Sequence, residues 1–174
     1  MPVELGRKIM IIGSGGAGKS TLARQLGEML ALPVIHLDKE FWNYGWIETP
    51  KEEWYQKQQD LISKPEWIAD GNFGGSLELR LDKADTIIFL DFNRIVCMRS
   101  VIKRWLTNMG KVRPDMAEGC PEKIDFEFLK WIWQFPQNSR PTIMEKISKY
   151  KLEPITIKNR KMLKQFILEV NRSE

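Results

Sequence analysis

The sequence predicts a three-layer α/β domain, a parallel sheet covered by helices on both faces, because short apolar runs alternate with longer amphipathic stretches and a glycine loop joins the first run to the first helix. The runs at 8–12, 33–37, 67–69, 86–90 and 154–157 are apolar almost throughout, as strands buried on both faces are. Parallel strands need crossover connections, and the stretches between them supply helices. Thr49-Pro50-Lys51-Glu52 reads as a capping box with proline at the first helical position, opening a helix that turns Trp54, Gln58, Leu61 and Ile62 toward its partners. Asn159 reads as the cap of a last helix whose Met162, Leu163, Phe166, Ile167 and Val170 recur at helical spacing. With 174 residues, 43% of them hydrophobic, the chain suits one domain spanning 1–174. The exception is 109–121, which holds Gly110, Pro114, Gly119 and Pro121 between two helical stretches and reads as a lid-type loop.

Charge and cysteine content narrow the function classes. The net charge of +4 comes from 27 basic and 23 acidic residues, a modest excess that suits an anionic small substrate as well as nucleic acid. Cys97 and Cys120 are far apart and lack partners at metal-ligand spacing, which argues against a disulfide framework or a zinc site. The apolar stretch from Ile9 to Ile12 is too short for a signal-peptide core, and no run approaches a membrane span, so the expectation is a cytoplasmic protein with no membrane partner.

The chemistry is most legible at Gly13-Ser14-Gly15-Gly16-Ala17-Gly18-Lys19-Ser20. Its glycines let the backbone turn N–H groups inward around phosphate oxygens, and the helix opened by Thr21 adds its partial positive charge. Lys19 is placed to reach the terminal phosphates and the Ser20 hydroxyl to ligate Mg²⁺, so this is a P-loop, with ATP and Mg²⁺ as expected cofactors. A dinucleotide loop needs a different glycine spacing, and the Gly18-Lys19 pair decides for a nucleoside triphosphate.

On the acceptor side, the second predicted strand ends at Asp38, which puts a carboxylate at the edge of the sheet where open α/β folds bind ligands; it can take a hydroxyl proton or orient the acceptor. The third ends at Asp70, placed to hold a Mg²⁺-bound water, although an ordinary Asp-Gly turn is the alternative. Asp91, after the fourth, is a further candidate. His36 reads as structural. Trp42 and Trp46, in the segment Phe41-Trp42-Asn43-Tyr44-Gly45-Trp46, can wall an acceptor ring, whereas Trp54, Trp105, Trp131 and Trp133 read as core.

Arg94, Arg99, Lys103, Arg104, Lys111 and Arg113 form a one-sign patch with no acid among them. Lid arginines of this kind stabilise a transferring phosphoryl group, and Arg99 and Arg104 are the catalytic candidates. Arg80, Arg113 and Arg140 are candidates for bidentate contacts to substrate phosphate. A solvated basic face is the alternative for each, and the patch also admits DNA as a partner.

With these residues in view, the chain resembles the adenylate-kinase-like P-loop kinases, and within them the bacterial DNA topology modulation proteins (FlaR-related). The resemblance rests on Gly13 to Ser20, His36-Leu37-Asp38 with Phe41-Trp42, Asp70-Gly71-Asn72 with Arg80-Leu81, and Arg113-Pro114-Asp115-Met116 with Glu118-Gly119-Cys120. It implies a five-stranded core of order 2-3-1-4-5, an acceptor segment after strand two, a lid after strand four, Asp70 assisting Mg²⁺, and Arg99 or Arg104 on phosphate. The sequence departs from adenylate kinases where Asp70-Gly71 is followed by Asn72-Phe73 in place of Phe-Pro-Arg. The expected function is transfer of the γ-phosphate of ATP to a small acceptor; the alternatives are an ATP-dependent regulator with an effect on DNA topology and a simple NTPase.

Overall fold

The computed structural model describes residues 4–173; Met1 to Val3 and Glu174 lie outside the described residues. The elements run β1 (Lys8–Gly13), α1 (Lys19–Leu30), β2 (Val34–His36), α2 (Leu37–Phe41), β3 (Trp42–Asn43), β4 (Ile47–Glu48), α3 (Lys51–Ile62), β5 (Trp67–Asp70), a 3-10 turn (Gly74–Ser76), α4 (Leu77–Leu81), β6 (Thr86–Leu90), α5 (Arg94–Asn108), α6 (Phe126–Gln134), α7 (Ser139–Ser148), β7 (Ile155–Ile157) and α8 (Arg160–Ser173).

Five strands pair in the order β2-β5-β1-β6-β7, every neighbour parallel. Counted among themselves these strands are ordered 2-3-1-4-5, as expected. Side chains of one strand alternate between faces, and the two cores divide along that alternation. Ile9, Ile11, Ile88 and Leu90 pack with Leu22, Leu26, Cys97, Val101, Phe166 and Val170 from α1, α5 and α8. Met10, Ile12, Ile87 and Phe89 pack on the other face with Trp54, Ile62, Leu77, Leu81, Ile143 and Ile147 from α3, α4 and α7. The register sets Ile11 beside Asp70 and His36 beside Asp70, which gathers the ends of β1, β2 and β5 at one edge.

Four local expectations change. The second strand stops at His36, so Asp38 stands in the first turn of α2 and not at a strand end. The aromatic segment is an antiparallel hairpin, Trp42 opposite Glu48 and Asn43 opposite Ile47. The capping box does not form: Pro50 is the N-cap, and the Thr49 hydroxyl donates to the Phe41 carbonyl instead. Trp133, expected in the core, is 47% exposed, with the Arg94 guanidinium 4.2 Å above its ring. The predicted cap at Asn159 is present, its Oδ1 accepting from the Met162 N–H at 2.9 Å. Cys97 and Cys120 are free and buried. No helix among the described residues is long and apolar enough to cross a membrane.

Candidate active site

The P-loop lies between β1 and α1, with Gly16 and Gly18 in left-handed backbone conformations. Gly16 also lies against α5, since a Cβ there would stand 2.4 Å from the Cys97 carbonyl oxygen. A side chain would therefore push the loop off its helix. The Lys19 ammonium donates to the carbonyls of Gly13 at 3.0 Å and Ser14 at 2.9 Å. Burial lowers its pKa, while Asp38 and Asp70 act to raise it and Arg104 to lower it, so all three charges lie within electrostatic reach of the loop.

Asn72 was not picked out as a site residue from sequence, yet it ties this loop to the acceptor side. Its Oδ1 accepts from the Gly13 N–H at 3.0 Å and its Nδ2 donates to the Gly13 carbonyl at 2.7 Å. Its signals in the sequence were its place in the motif Asp70-Gly71-Asn72 and the departure at 72–73 from the adenylate kinase pattern.

Asp70, 4% exposed, receives the His36 Nδ1 at 2.9 Å on Oδ1, while its Oδ2 is buried without a hydrogen-bond partner. A carboxylate oxygen free of protein donors beside a P-loop suits a cation or its water. Asp38 remains accessible to solvent. Desolvation by the surrounding cleft nonetheless raises its pKa; Lys19 opposes the rise and Asp70 adds to it. Lys19, Asp38 and Asp70 thus lie within electrostatic reach of one another, and His36, read as structural from sequence, bonds to Asp70.

The basic patch is not left one-signed. Arg104 Nε donates to Glu122 at 2.9 Å, Arg113 pairs with both Glu122 and Asp115, and Arg24 reaches Asp115 at 3.5 Å. Burial acts to raise the Asp115 pKa, but Arg113, a backbone hydrogen bond, His36 and Arg24 outweigh it and hold the carboxylate below its usual range. Arg104 shares a face of α5 with the buried Cys97 and Val101, whereas Arg99 projects from the opposite side and is exposed. Of the two catalytic candidates on α5, only Arg104 therefore faces the loop.

Further candidates have partners within the chain. Arg80 is fully enclosed, and its guanidinium donates to the carbonyls of Gly71 (2.9 Å), Asn72 and Phe73 (3.3 Å); burial pushes its pKa down to about 9, so it stays charged at neutral pH. It holds the loop after β5 and presents no free face to a phosphate. Arg140 grips the Asp91 carboxylate through Nε and Nη2 at 2.8 to 3.1 Å, so both candidates there are matched to each other. Trp42 and Trp46 meet edge to face at 5.3 Å and pack on Met116, Ala117 and Cys120 of the irregular segment after α5. That segment docks on the hairpin: the Gly45 N–H donates to the Gly119 carbonyl at 3.2 Å, and Gly119 needs its positive φ and bare Cα because a Cβ would lie 2.2 Å from the Tyr44 ring.

Replacing Arg80 with leucine leaves three carbonyls without their donor, each worth roughly 1–3 kcal/mol when buried. Chemical denaturation is expected to show a stability loss of about 3 kcal/mol; a loss below about 1 kcal/mol would remove Arg80 as the support of that loop.

No family model matches the chain. It is 25% identical over 130 residues, 68% of this chain and 73% of the other, to shikimate kinase of Vibrio cholerae serotype O1. It is 24% identical over 159 residues, 84% and 86% of the two chains, to shikimate kinase of Buchnera aphidicola subsp. Schizaphis graminum. The fold matches the solved shikimate kinase from Acinetobacter baumannii in complex with shikimate with a TM-score of 0.58 at 17% identity, over 96% and 93% of the chains. It matches a gluconokinase from Sinorhizobium meliloti 1021 with a TM-score of 0.55 at 13% identity, over 98% and 92%. The chain is a kinase-like P-loop phosphotransferase. Its cofactors are ATP and Mg²⁺, and its ligands are a nucleotide and a small molecule. The residues of this phosphotransferase fit that pair: the glycine cradle and Lys19 suit a polyphosphate, and the Ser20 hydroxyl with the unpartnered Asp70 oxygen suits a cation that keeps several waters. Among the described residues no group of three or more His, Cys, Asp or Glu is arranged to hold a metal.

Proposed function

We propose that this phosphotransferase moves the γ-phosphoryl group of ATP to a hydroxyl of a small acceptor held beside Asp38. The observation that carries the reading is the convergence of Lys19, Asp38 and Asp70 at one edge of the sheet, two of them coupled to the Lys19 charge. In this reading Gly13 to Thr21 bind the nucleotide, Ser20 and Asp70 hold Mg²⁺, and Arg104 and Arg113 serve the transferring group from a lid at 109–121. Trp42 and Trp46 close the acceptor side through that lid. Mg²⁺ screens phosphate charge when bound; the chain's own part is to orient the acceptor, exclude water and take its proton on the Asp38 carboxylate.

The reading is tested by Mg²⁺-dependent ADP release from ATP across nucleosides, nucleotides, polyols and hydroxy acids. Acceleration by an acceptor in the wild type alone, and not in a Lys19 variant, supports it; steady ATP hydrolysis indifferent to every acceptor would point to a simple NTPase. Within the same reading we place the chain in the cytoplasm and nearest the DNA topology modulation proteins, on the motifs given above. Any DNA affinity of the basic residues would fall steeply with rising salt, which filter binding at two salt concentrations measures.

His36 enters as a positioning residue. Its ring fixes the Asp70 carboxylate through Oδ1 and leaves Oδ2 for the cation. His36→Phe is expected to weaken Mg²⁺ binding to the ADP complex about tenfold by calorimetry, and His36→Asn to restore most of it. Equal Mg²⁺ affinity in the wild type and His36→Phe would remove this role.

A further inference from the structure

Among the glycines of the phosphate loop, Gly13, Gly16 and Gly18 take positive φ and Gly15 does not, so its backbone alone does not call for glycine. What its bare Cα meets is α6. A Cβ at Gly15 would stand 2.7 Å from Cζ of Phe128 and 3.2 Å from Cδ1 and Cγ1 of Ile132. The next residue, Gly16, lies against the Cys97 carbonyl of α5, so two helices hold the loop at consecutive residues.

The sequence of α6 explains its seat. Phe128, Trp131, Ile132 and Phe135 recur at helical spacing and form one apolar stripe. Ile132 is buried in the core on the α1, α5 and α8 face of the sheet, Phe135 is buried in the core on the other face, and Trp131 packs against both. The helix therefore crosses the carboxyl edge of the sheet, where β1 and β6 end side by side at Gly13 and Leu90. Open α/β folds bind their ligands at that edge. The Phe128 ring stacks on Trp131 at 5.8 Å, and Trp131 meets Phe135 edge to face at 5.4 Å.

Both ends of α6 are braced. Asp125 caps its start, Oδ1 accepting from the Glu127 N–H at 2.8 Å, and Glu122 just before it is held by Arg104 and Arg113. At the far end the Arg94 guanidinium donates to the Trp133 carbonyl at 3.3 Å and lies over the Trp133 ring. Phe128 is thereby kept on the loop next to Ser14, whose carbonyl accepts from the Lys19 ammonium. His36, Asp38 and Asp70 belong to β2, α2 and β5, on the other side of β1 in the sheet. The aromatic stripe thus faces the acceptor residues across the phosphate loop.

We propose that Phe128 is a positioning residue of the phosphotransferase, its ring walling the loop at Gly15 and keeping water from the terminal phosphate so that the phosphoryl group passes to the acceptor. The inference rests on the phosphotransferase reading above and adds a wall outside the lid at 109–121. Without that wall the competing reaction is hydrolysis. The oxygen of a water forms a bond to the γ-phosphorus, the bond from that phosphorus to the β–γ bridging oxygen breaks, ADP leaves with the electron pair, and the water's proton passes to solvent. An apolar ring offers such a water no hydrogen-bond partner.

The test uses the full chain with ATP and Mg²⁺, without an acceptor, and measures release of inorganic phosphate. The wild type is expected to hydrolyse ATP slowly, and Phe128→Ala to raise kcat for hydrolysis about tenfold with KM for ATP within about twofold. Phe128→Leu restores part of the wall and is expected to fall between the two; it decides the matter if the alanine variant gives no cooperative melting curve. Truncation of a ring with only a structural role would lower stability and give no gain of hydrolysis. Hydrolysis unchanged or lowered in a folded Phe128 variant overturns the inference. ATP binding measured by calorimetry keeps the two readings apart. Where the wild type binds ATP and the variants leave hydrolysis unmoved, Phe128 loses its role and the phosphotransferase stands; where the wild type does not bind ATP, both fall.

Discussion

Lys19→Ala is expected to lower kcat/KM for phosphoryl transfer about 10²- to 10³-fold, the cost of removing one preorganised charge from a site where negative charge is rearranged. The ammonium already lies within the loop on the Gly13 and Ser14 carbonyls, so no chain movement is needed to bring it to the phosphates. Its loss removes two hydrogen bonds worth about 1 kcal/mol each, which leaves the domain folded. Arginine is no substitute, because a planar fork cannot occupy the space of a point charge inside a glycine loop. Comparing steady-state rates with melting curves separates the two effects. Turnover within tenfold of the wild type would remove Lys19 from the mechanism.

Asp38→Asn is expected to reduce kcat about 10²- to 10⁴-fold, the range general bases contribute, with a smaller change in KM for ATP. The pH profile gives the sharper test. Burial raises the Asp38 pKa, and only the ionised carboxylate accepts a proton. The wild-type rate should therefore rise with pH through a value above the ordinary carboxylate range and be lost as pH falls through it. The asparagine variant should lose that acid limb along with its rate. An unchanged limb would assign the titration to another group and leave Asp38 as a positioning contact at most.

Most of the fold was legible because its signals are local. Buried parallel strands are apolar runs, and the β6 strand matches its predicted run at both ends. The phosphate loop was legible for the same reason, since eight consecutive residues carry its chemistry. What escaped the sequence depends on partners distant along the chain. Asp115 and Glu122, which pair with Arg104 and Arg113, lie outside the patch from Arg94 to Arg113, so a window that ended at Arg113 saw only one sign of charge. Arg80 was taken for a clamp because its type suits phosphate, yet its burial follows from the face of α4 it occupies between Leu77 and Leu81. His36 gained its partner from the register of β2 against β5, which a lone histidine in an apolar run does not announce. The capping box failed because Thr49 found the Phe41 carbonyl across the hairpin, a competitor that its four-residue pattern does not contain.

The two hydrogen bonds between the Asn72 amide and the Gly13 peptide make a joint of the nucleotide and acceptor halves. Anyone retuning this chain for a new acceptor by changing residues 71 to 73 will also loosen or shift the grip on ATP. Selectivity on one side and affinity on the other are therefore inherited together, and a library that holds Asn72 fixed is the route by which they can be separated.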